Sequence, residues 1–136
     1  MAESTFMLEI VTPEQILLRD EVQFMVAPGA EGELGIMKNH APLVAALDIG
    51  VLRYNNTSGT QKKMALSGGF MEVIDNVARV LAETAEHGED IDILRAKAAK
   101  ERAERRLQAR EDTLNLARAE MALKRAISRL KAAEAL

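Results

Sequence analysis

The sequence has no cysteine and no tryptophan, and only 3% of its 136 residues are aromatic. Without cysteine, disulfide frameworks and thiolate metal sites are excluded. A buried core must therefore be built mainly from Val, Ile, Leu, Met and Ala. The first residues lack the basic and apolar regions of a signal peptide, and no apolar run approaches the ~18 residues of a transmembrane helix. We therefore expect membrane contact only through partners.

Glycine and proline are missing from the last third of the chain. All eight glycines and all three prolines lie at or before Gly88, and the 48 residues that follow contain neither. Because these residues are the strongest local breaks in regular structure, the sequence predicts two domains, residues 1–87 and 88–136.

Charge divides at nearly the same place. Residues 1–89 carry 6 basic and 13 acidic side chains, a net charge of −7, and residues 90–136 carry 12 basic and 8 acidic, a net charge of +4. Such asymmetry suggests two units with different partners. The basic half suits an acidic protein surface, a nucleotide or a nucleic acid, or it is simply a solvated helix face.

The first half reads as a series of short strands separated by turn residues. Ser67-Gly68-Gly69 is expected to divide two of them, and no helical segment intervenes. Closely spaced short strands predict an all-β sandwich rather than βαβ units. The predicted strands cover residues 6–11, 22–26, 51–54, 63–66, 70–74 and 77–82.

The second half has helical periodicity. Asp90 is the predicted N-cap of a first helix, with Asp92 in its first turn, and Asp112 is the predicted cap of a second. Each helix carries one apolar stripe, so we expect an antiparallel two-helix hairpin and an α+β protein overall. Alanine burial contributes little hydrophobic energy, which is compatible with conformational exchange or with a static hairpin. The stripes are Ala96, Ala99, Ala103 and Leu107, then Leu116, Ala119, Leu123, Ala126, Ile127 and Leu130.

No catalytic constellation is present. His40 and His87 are isolated and lack metal-ligand spacing, Ser67-Gly68-Gly69 lacks the frame of a nucleophile elbow, and no P-loop occurs. We therefore expect neither catalytic residues nor a metal site.

Two features remain as candidate binding sites. Residues 31–36 (Glu-Gly-Glu-Leu-Gly-Ile), followed by residues 39–43 (Asn-His-Ala-Pro-Leu), form either a bend between strands or a docking loop. On the helices, Arg95 and Arg102 share a face, as do Arg118, Arg125 and Arg129. Guanidinium groups converging from two helices suit phosphate binding, and Glu86 and Asp92 supply acceptors for an amine. Alternatively, the arginines are solvated and paired with Glu101, Glu104 and Glu120.

Taken together, these motifs closely resemble one family, the epsilon subunit of the bacterial-type (F-type) rotary ATP synthase. The resemblance covers essentially the whole chain. It is carried by residues 11–13 (Val-Thr-Pro), the stretches 31–36 and 39–43, residues 67–73 (Ser-Gly-Gly-Phe-Met-Glu-Val) and residues 90–96 (Asp-Ile-Asp-Ile-Leu-Arg-Ala).

The resemblance implies a non-catalytic stalk subunit. Its β-sandwich would bind the gamma subunit and touch the polar loops of the c-ring, with Glu31 and Glu33 at the c-ring and His40 near gamma. The hairpin would lie folded on the sandwich or extend along gamma, where basic helix two meets acidic segments of the alpha and beta subunits and blocks ATP hydrolysis. The location would be the cytoplasmic face of a bacterial plasma membrane. A stromal thylakoid face would apply to a plastid member, since plastid members share Asn at position 39.

Some members of the family bind ATP in the folded-down state, with no covalent cofactor. Transferred residue by residue, the resemblance implies a regulatory ATP site that would stabilise this state and relieve inhibition. A free-standing ATP-binding sensor is the alternative, whereas the acidic β half and the absence of an aromatic stacking platform argue against nucleic acid. The implied ATP-site residues are Glu86, Ile91, Asp92, Arg95, Ala96, Arg102, Arg125 and Arg129.

Overall fold

The computed structural model describes residues 4–109 and 113–136, and within them seven strands precede two long helices. No helix in these two ranges is long and apolar enough to cross a membrane. The strands are β1 (Phe6–Val11), β2 (Ile16–Gly29), β3 (Gly32–Ile36), β4 (Leu43–Asn56), β5 (Gln61–Ile74), β6 (Val77–Ala82) and β7 (Ala85–His87), and the helices are α1 (Ile93–Ala109) and α2 (Thr113–Ala132).

The strands form one sheet that closes on itself. Its order is β1-β6-β5-β4-β2-β3, and an additional pairing of β1 with β2 completes the ring, with β7 added to β5. Inward side chains from all sides meet in a mainly aliphatic core, as the low aromatic content required. The α+β prediction is confirmed. The most completely buried large side chains of this core include Leu8, Ile10, Met25, Ile36, Leu52, Met64, Leu66 and Met71.

The predicted break at Ser67-Gly68-Gly69 is wrong, because β5 runs through it as one strand of 14 residues. Gly68 and Gly69 have φ of 100° and 137°, backbone conformations that favour glycine. A Cβ at Gly69 would overlap the carbonyl oxygen of Leu81. The glycines therefore turn the strand at a corner of the barrel, where its partner changes from β7 to β6.

The stretch 31–36 is not a loop, as one reading of it held. Residues 32–36 form β3, which pairs with the end of β2 in a hairpin whose turn contains Ala30 and Glu31. Gly32, with φ of 129°, closes that turn. The acidic residues of this segment therefore have fixed positions on a strand and its turn.

The helices form the predicted antiparallel hairpin. Helix α1 begins at Ile93, and the backbone N–H of Arg95 donates to Asp92 Oδ1 at 3.1 Å. Asp92 is therefore the N-cap in place of the predicted Asp90, which lies in a preceding 3-10 turn. The predicted cap Asp112 lies outside the described residues.

The apolar stripes are confirmed. Only Ala96 and Ala103 of α1 are buried, and Ala119, Ala126 and Leu130 lie buried on α2. Helix α2 packs against strands β4 and β5, and α1 packs mainly on α2. The hairpin is therefore folded down onto the barrel, with α2 as the layer next to the sheet.

Candidate functional site

The folded hairpin rests on the barrel through a small apolar contact, which we call the hairpin seat. Of its buried side chains only those of Ile91 and Leu130 are large, and burying each is worth about 1.5–3 kcal/mol, while Val51 packs against them partly buried. The contact is therefore weak compared with the barrel core. The hairpin seat consists of Ala65, Gly88, Ile91, Ala96, Leu130 and Ala132.

Gly88 allows the closest approach within the hairpin seat. The residue is buried in the 3-10 turn that links β7 to α1. A Cβ at this position would overlap the carbonyl oxygen of Ala132 and lie 3.1 Å from that of Lys63. Since both obstacles are backbone atoms, the end of α2 can reach the barrel only if residue 88 is glycine.

Among the residues that the structure describes, three ion pairs join α2 and its C-terminal turn to the barrel. Lys124 Nζ lies 3.0 Å from Asp48 Oδ2, and Lys63 Nζ lies 3.2 Å from Glu134 Oε1. Exposed pairs of this kind contribute about 0–1 kcal/mol each and are screened by salt. The third pair joins Arg129 to Glu86 and is the least exposed on its basic side.

The first of these pairs makes the hairpin contact sensitive to acid. The hydrogen bond from Lys124 lowers the pKa of Asp48 below its usual 3.8, and the backbone N–H of Ile49 lowers it further. A carboxyl group whose pKa is depressed by folding stabilises the fold above the unfolded-state pKa, and this stabilisation is lost as pH falls through the folded-state value.

We therefore expect Asp48→Asn to lower the free energy of unfolding at neutral pH by less than about 1 kcal/mol, since the pair is exposed. At a pH below the lowered folded-state pKa of Asp48 the substitution should have almost no effect, because Asp48 is then protonated in both states. Urea unfolding of both proteins at the two pH values measures the difference. An equal loss at both would show that the carboxylate charge is not responsible.

Two of the predicted ATP-site residues are in direct contact. Arg129 Nη2 donates to Glu86 Oε2 at 3.2 Å, and Arg129 Nε lies 2.7 Å from Glu86 Oε1 without hydrogen-bond geometry. Glu86 lies on β7 and Arg129 in the last turn of α2. The pair therefore joins the end of the barrel to the end of the hairpin.

The remaining predicted residues divide into buried and exposed groups. Ile91 and Ala96 belong to the hairpin seat, so they hold the start of α1 beside the end of α2. Arg95, Arg102 and Arg125 are exposed. Arg95 lies near the start of α1, and Arg125 is one turn, about 6 Å, before Arg129. The structure thus brings Glu86, Arg129, Ile91 and Ala96 together at the base of the hairpin, where the start of α1 meets the end of α2. Arg102 lies two turns beyond Arg95 on α1.

The three predicted docking residues lie on the barrel. Glu31 is exposed in the β2–β3 turn, and Glu33 on β3 accepts a hydrogen bond from Arg53 Nη1 at 2.9 Å. His40, in the loop before β4, is half-buried and its Nδ1 donates to the carbonyl oxygen of Ala41 at 2.7 Å. Asn39, beside it, donates its backbone N–H to Asn76 Oδ1, which fixes this loop against the β5–β6 turn.

A further surface was not found from the sequence. Five outward-facing apolar residues from neighbouring strands line up across the sheet, and we call them the apolar row. Phe70 is 60% exposed and Leu81 51% exposed, although both are large and hydrophobic. A row of this kind normally marks an interaction surface. The register places the row in the order Ala46, Phe70, Leu81, Val11 and Ile16.

Within residues 4–109 and 113–136, no group of three or more His, Asp or Glu side chains is arranged to hold a metal ion. What these residues do provide is a rigid β module with an apolar outer row and a weakly seated, basic helical hairpin. This defines a class of two-part proteins in which a β module carries a helical hairpin on its surface.

Comparison with known proteins identifies the class. Residues 5–88 match the family described as ATP synthase, Delta/Epsilon chain, beta-sandwich domain, and residues 89–134 match its long alpha-helix domain. The ATP synthase epsilon chain of Syntrophomonas wolfei is 75% identical over 134 residues, covering 98% of each chain. That of Desulfitobacterium hafniense strain Y51 is 53% identical over 129 residues, covering 95% of this chain and 96% of its relative.

The fold is also found in a solved assembly. A chain of the Euglena gracilis mitochondrial ATP synthase superimposes with a TM-score of 0.84 at 26% identity, covering 96% of this chain and 81% of that one. The chain therefore belongs to the ATP synthase delta/epsilon family, as an epsilon chain, which is a non-catalytic subunit.

Proposed function

We propose that this chain is a central-stalk subunit of a proton-translocating ATP synthase, whose β module is docked permanently and whose hairpin is a movable inhibitor of ATP hydrolysis. The observation that carries the proposal is the small hairpin seat. Two large apolar side chains, a glycine contact and three ion pairs hold α2 on the barrel. The barrel has its own large core, so the hairpin can leave without unfolding it.

Docking of the β module is supported by the apolar row. Exposed residues such as Phe70 and Leu81 suit a partner that buries them, and we assign this partner as the gamma subunit. His40 lies in the loop that leads into β4, the strand that contributes Ala46 to the row. Glu31 and Glu33, on the β2–β3 hairpin, are proposed to meet the polar loops of the c-ring.

Inhibition is supported by the charge of the released hairpin. Residues 90–136 have a net charge of +4, and release from the barrel frees Lys124 and Arg129 from their acidic partners. Acidic segments of the alpha and beta subunits would then be complementary partners. In this proposal the protein is peripheral, on the cytoplasmic face of the plasma membrane, and reaches the membrane only through the complex.

ATP is proposed to stabilise the folded-down hairpin by binding at its base. Arg95, Arg125 and Arg129 provide cations for the phosphates, and Arg129 is held near the barrel by Glu86. A ligand favours the conformation for which it has the higher affinity. Because this base exists only when α2 lies beside β7 and the start of α1, ATP bound there opposes release.

Calorimetry on the intact chain tests the ATP site. We expect ATP to bind, and Arg129→Ala to weaken binding by about tenfold or more, because one charge-assisted hydrogen bond is worth roughly 1.5–3 kcal/mol. Arg105→Ala is the matched control, since Arg105 is exposed on α1 outside the predicted set. Equal losses in the two variants, or no ATP binding at millimolar concentration, would contradict the site and leave the stalk role standing.

The alternative of a free-standing ATP sensor is disfavoured by the same surface that supports docking. A protein that acts alone gains nothing from a row of exposed large apolar side chains, which promotes association. Purification from the source cell separates the two functions. A stalk subunit elutes with the alpha, beta and gamma subunits, whereas a sensor elutes only as a free chain.

A further inference from the structure

A second potential binding site lies between the barrel and α2, away from the predicted ATP residues. It is an open cleft of about 910 Å³. Ile49 and Val51 of β4 form apolar lining on the barrel side. Helix α2 contributes Lys124, Ile127, Ser128 and Lys131, which are spaced by three, four and seven residues and so share one face. None of the eight predicted ATP-site residues lines this cleft.

The cleft is basic. Four basic and two acidic side chains line it. Arg53 and Lys63 are paired with the two acidic ones, Glu33 and Glu134, and Lys124 is paired with Asp48 outside the lining. Lys131 has no ion pair among the residues that the structure describes. One cation is therefore available without breaking any existing contact, and the net charge favours an anionic ligand.

Ser128 gives an independent indication of a ligand. Its side chain is 5% exposed, and its hydroxyl oxygen has no hydrogen-bond partner in the described part of the chain. Leaving a buried hydroxyl unpaired costs about 1–3 kcal/mol, so such groups are uncommon unless something else pairs with them. Since Ser128 lies between Lys124 and Lys131 on the cleft wall, rotation of its buried side chain towards the cleft would let an anionic oxygen held by these lysines accept its proton.

We propose that this cleft binds a small organic phosphate whose apolar part rests on Ile49, Val51 and Ile127. Lysine ammonium groups and a hydroxyl are common donors to phosphate oxygens, and the aliphatic lining excludes a ligand that is charged throughout. The occupied cleft joins α2 to β4. Such a ligand therefore stabilises the folded-down hairpin from a different face of α2 than the predicted ATP site.

Phenyl phosphate, which combines a phosphate with an apolar ring, is a suitable probe. In a titration of the isotopically labelled intact chain, we expect amide chemical shifts to change along residues 124–131 and 49–53. Lys131→Gln and Ser128→Ala should each weaken the response by about tenfold, the worth of one hydrogen bond to a charged group. Lys97→Gln is the matched control, because Lys97 is an exposed lysine of α1 outside the cleft.

Each outcome of the titration is decisive. Weakening in the two cleft variants with an unchanged Lys97→Gln supports the proposal, and Ser128→Ala should not reduce stability, because it removes an unpaired polar group. Shifts that centre on Arg95 and Arg129 would place the phosphate at the hairpin base and overturn it. Equal weakening in all three variants, or no response in the millimolar range, would also overturn it. A neutral probe, benzyl alcohol, should bind more weakly than phenyl phosphate.

Discussion

Replacing Gly88 by valine is expected to lift the hairpin from the barrel while leaving the barrel folded. The new Cβ would overlap the carbonyl oxygen of Ala132, a backbone atom that moves only if the end of α2 moves. Overpacking of this kind costs about 1–3 kcal/mol, which offsets a large part of the roughly 3–6 kcal/mol from burying Ile91 and Leu130 in the hairpin seat. In the isolated chain, the amide resonances of α2 should change and those of the barrel core should not.

In the assembled synthase the same substitution should deepen inhibition of ATP hydrolysis, because more hairpins are released. Deleting residues 90–136 should have the opposite effect, since the proposed inhibitor is then missing. In the isolated chain Gly35→Val is the matched control and should leave the α2 resonances unchanged, because a Cβ at Gly35 meets only ordinary contacts with Phe24. If hydrolysis were unchanged in both Gly88→Val and the deletion, the hairpin would not be the inhibitor.

Placing a charge in the apolar row is expected to have the second large effect, on assembly rather than folding. Phe70 is 60% exposed in the isolated chain, so Phe70→Glu should leave its free energy of unfolding nearly unchanged. If the gamma subunit buries this residue, loss of a large aromatic contact costs about 2–4 kcal/mol, which weakens binding roughly 30- to 1,000-fold. Burying the new carboxylate would add to the loss.

Binding of the purified chain to the gamma subunit measures the effect directly. Leu94→Glu is the matched control, because Leu94 is 79% exposed on α1 and does not belong to the apolar row. Normal binding by Phe70→Glu would mean that the gamma subunit meets another face of the barrel. Equal loss in both variants would point to a general effect of added negative charge.

Several features followed from the sequence because their causes are local. The 48 residues after Gly88 contain no glycine or proline and repeat apolar residues at helical spacing, and two helices occupy most of them. Likewise, alanine at the inward positions predicted a weak contact, and the hairpin seat has only two large apolar side chains. The predicted N-cap of α1, Asp90, lies only two residues before the observed one, Asp92. Aspartate is a suitable cap at either position, so the sequence alone does not choose between them.

The strands were harder to delimit, for a physical reason. Gly68 and Gly69 are turn residues in most sequences, but here positive φ values allow β5 to bend and continue pairing. Whether a glycine ends a strand or turns a corner depends on the neighbouring strands, which are distant in the chain. In the same way, the glycines of residues 31–36 concealed β3, whose pairing with β2 makes it a strand.

The sequence by itself determined the family, the change from strands to helices near Gly88 and the basic character of the hairpin, because composition and local periodicity encode them. Only the tertiary structure decided which residues meet. Cross-strand register created the apolar row, the approach of α2 to the barrel joined Arg129 to Glu86, and the same approach opened a cleft beside Ser128. Each depends on contacts between residues far apart in the chain, and local sequence patterns carry no information about such distances.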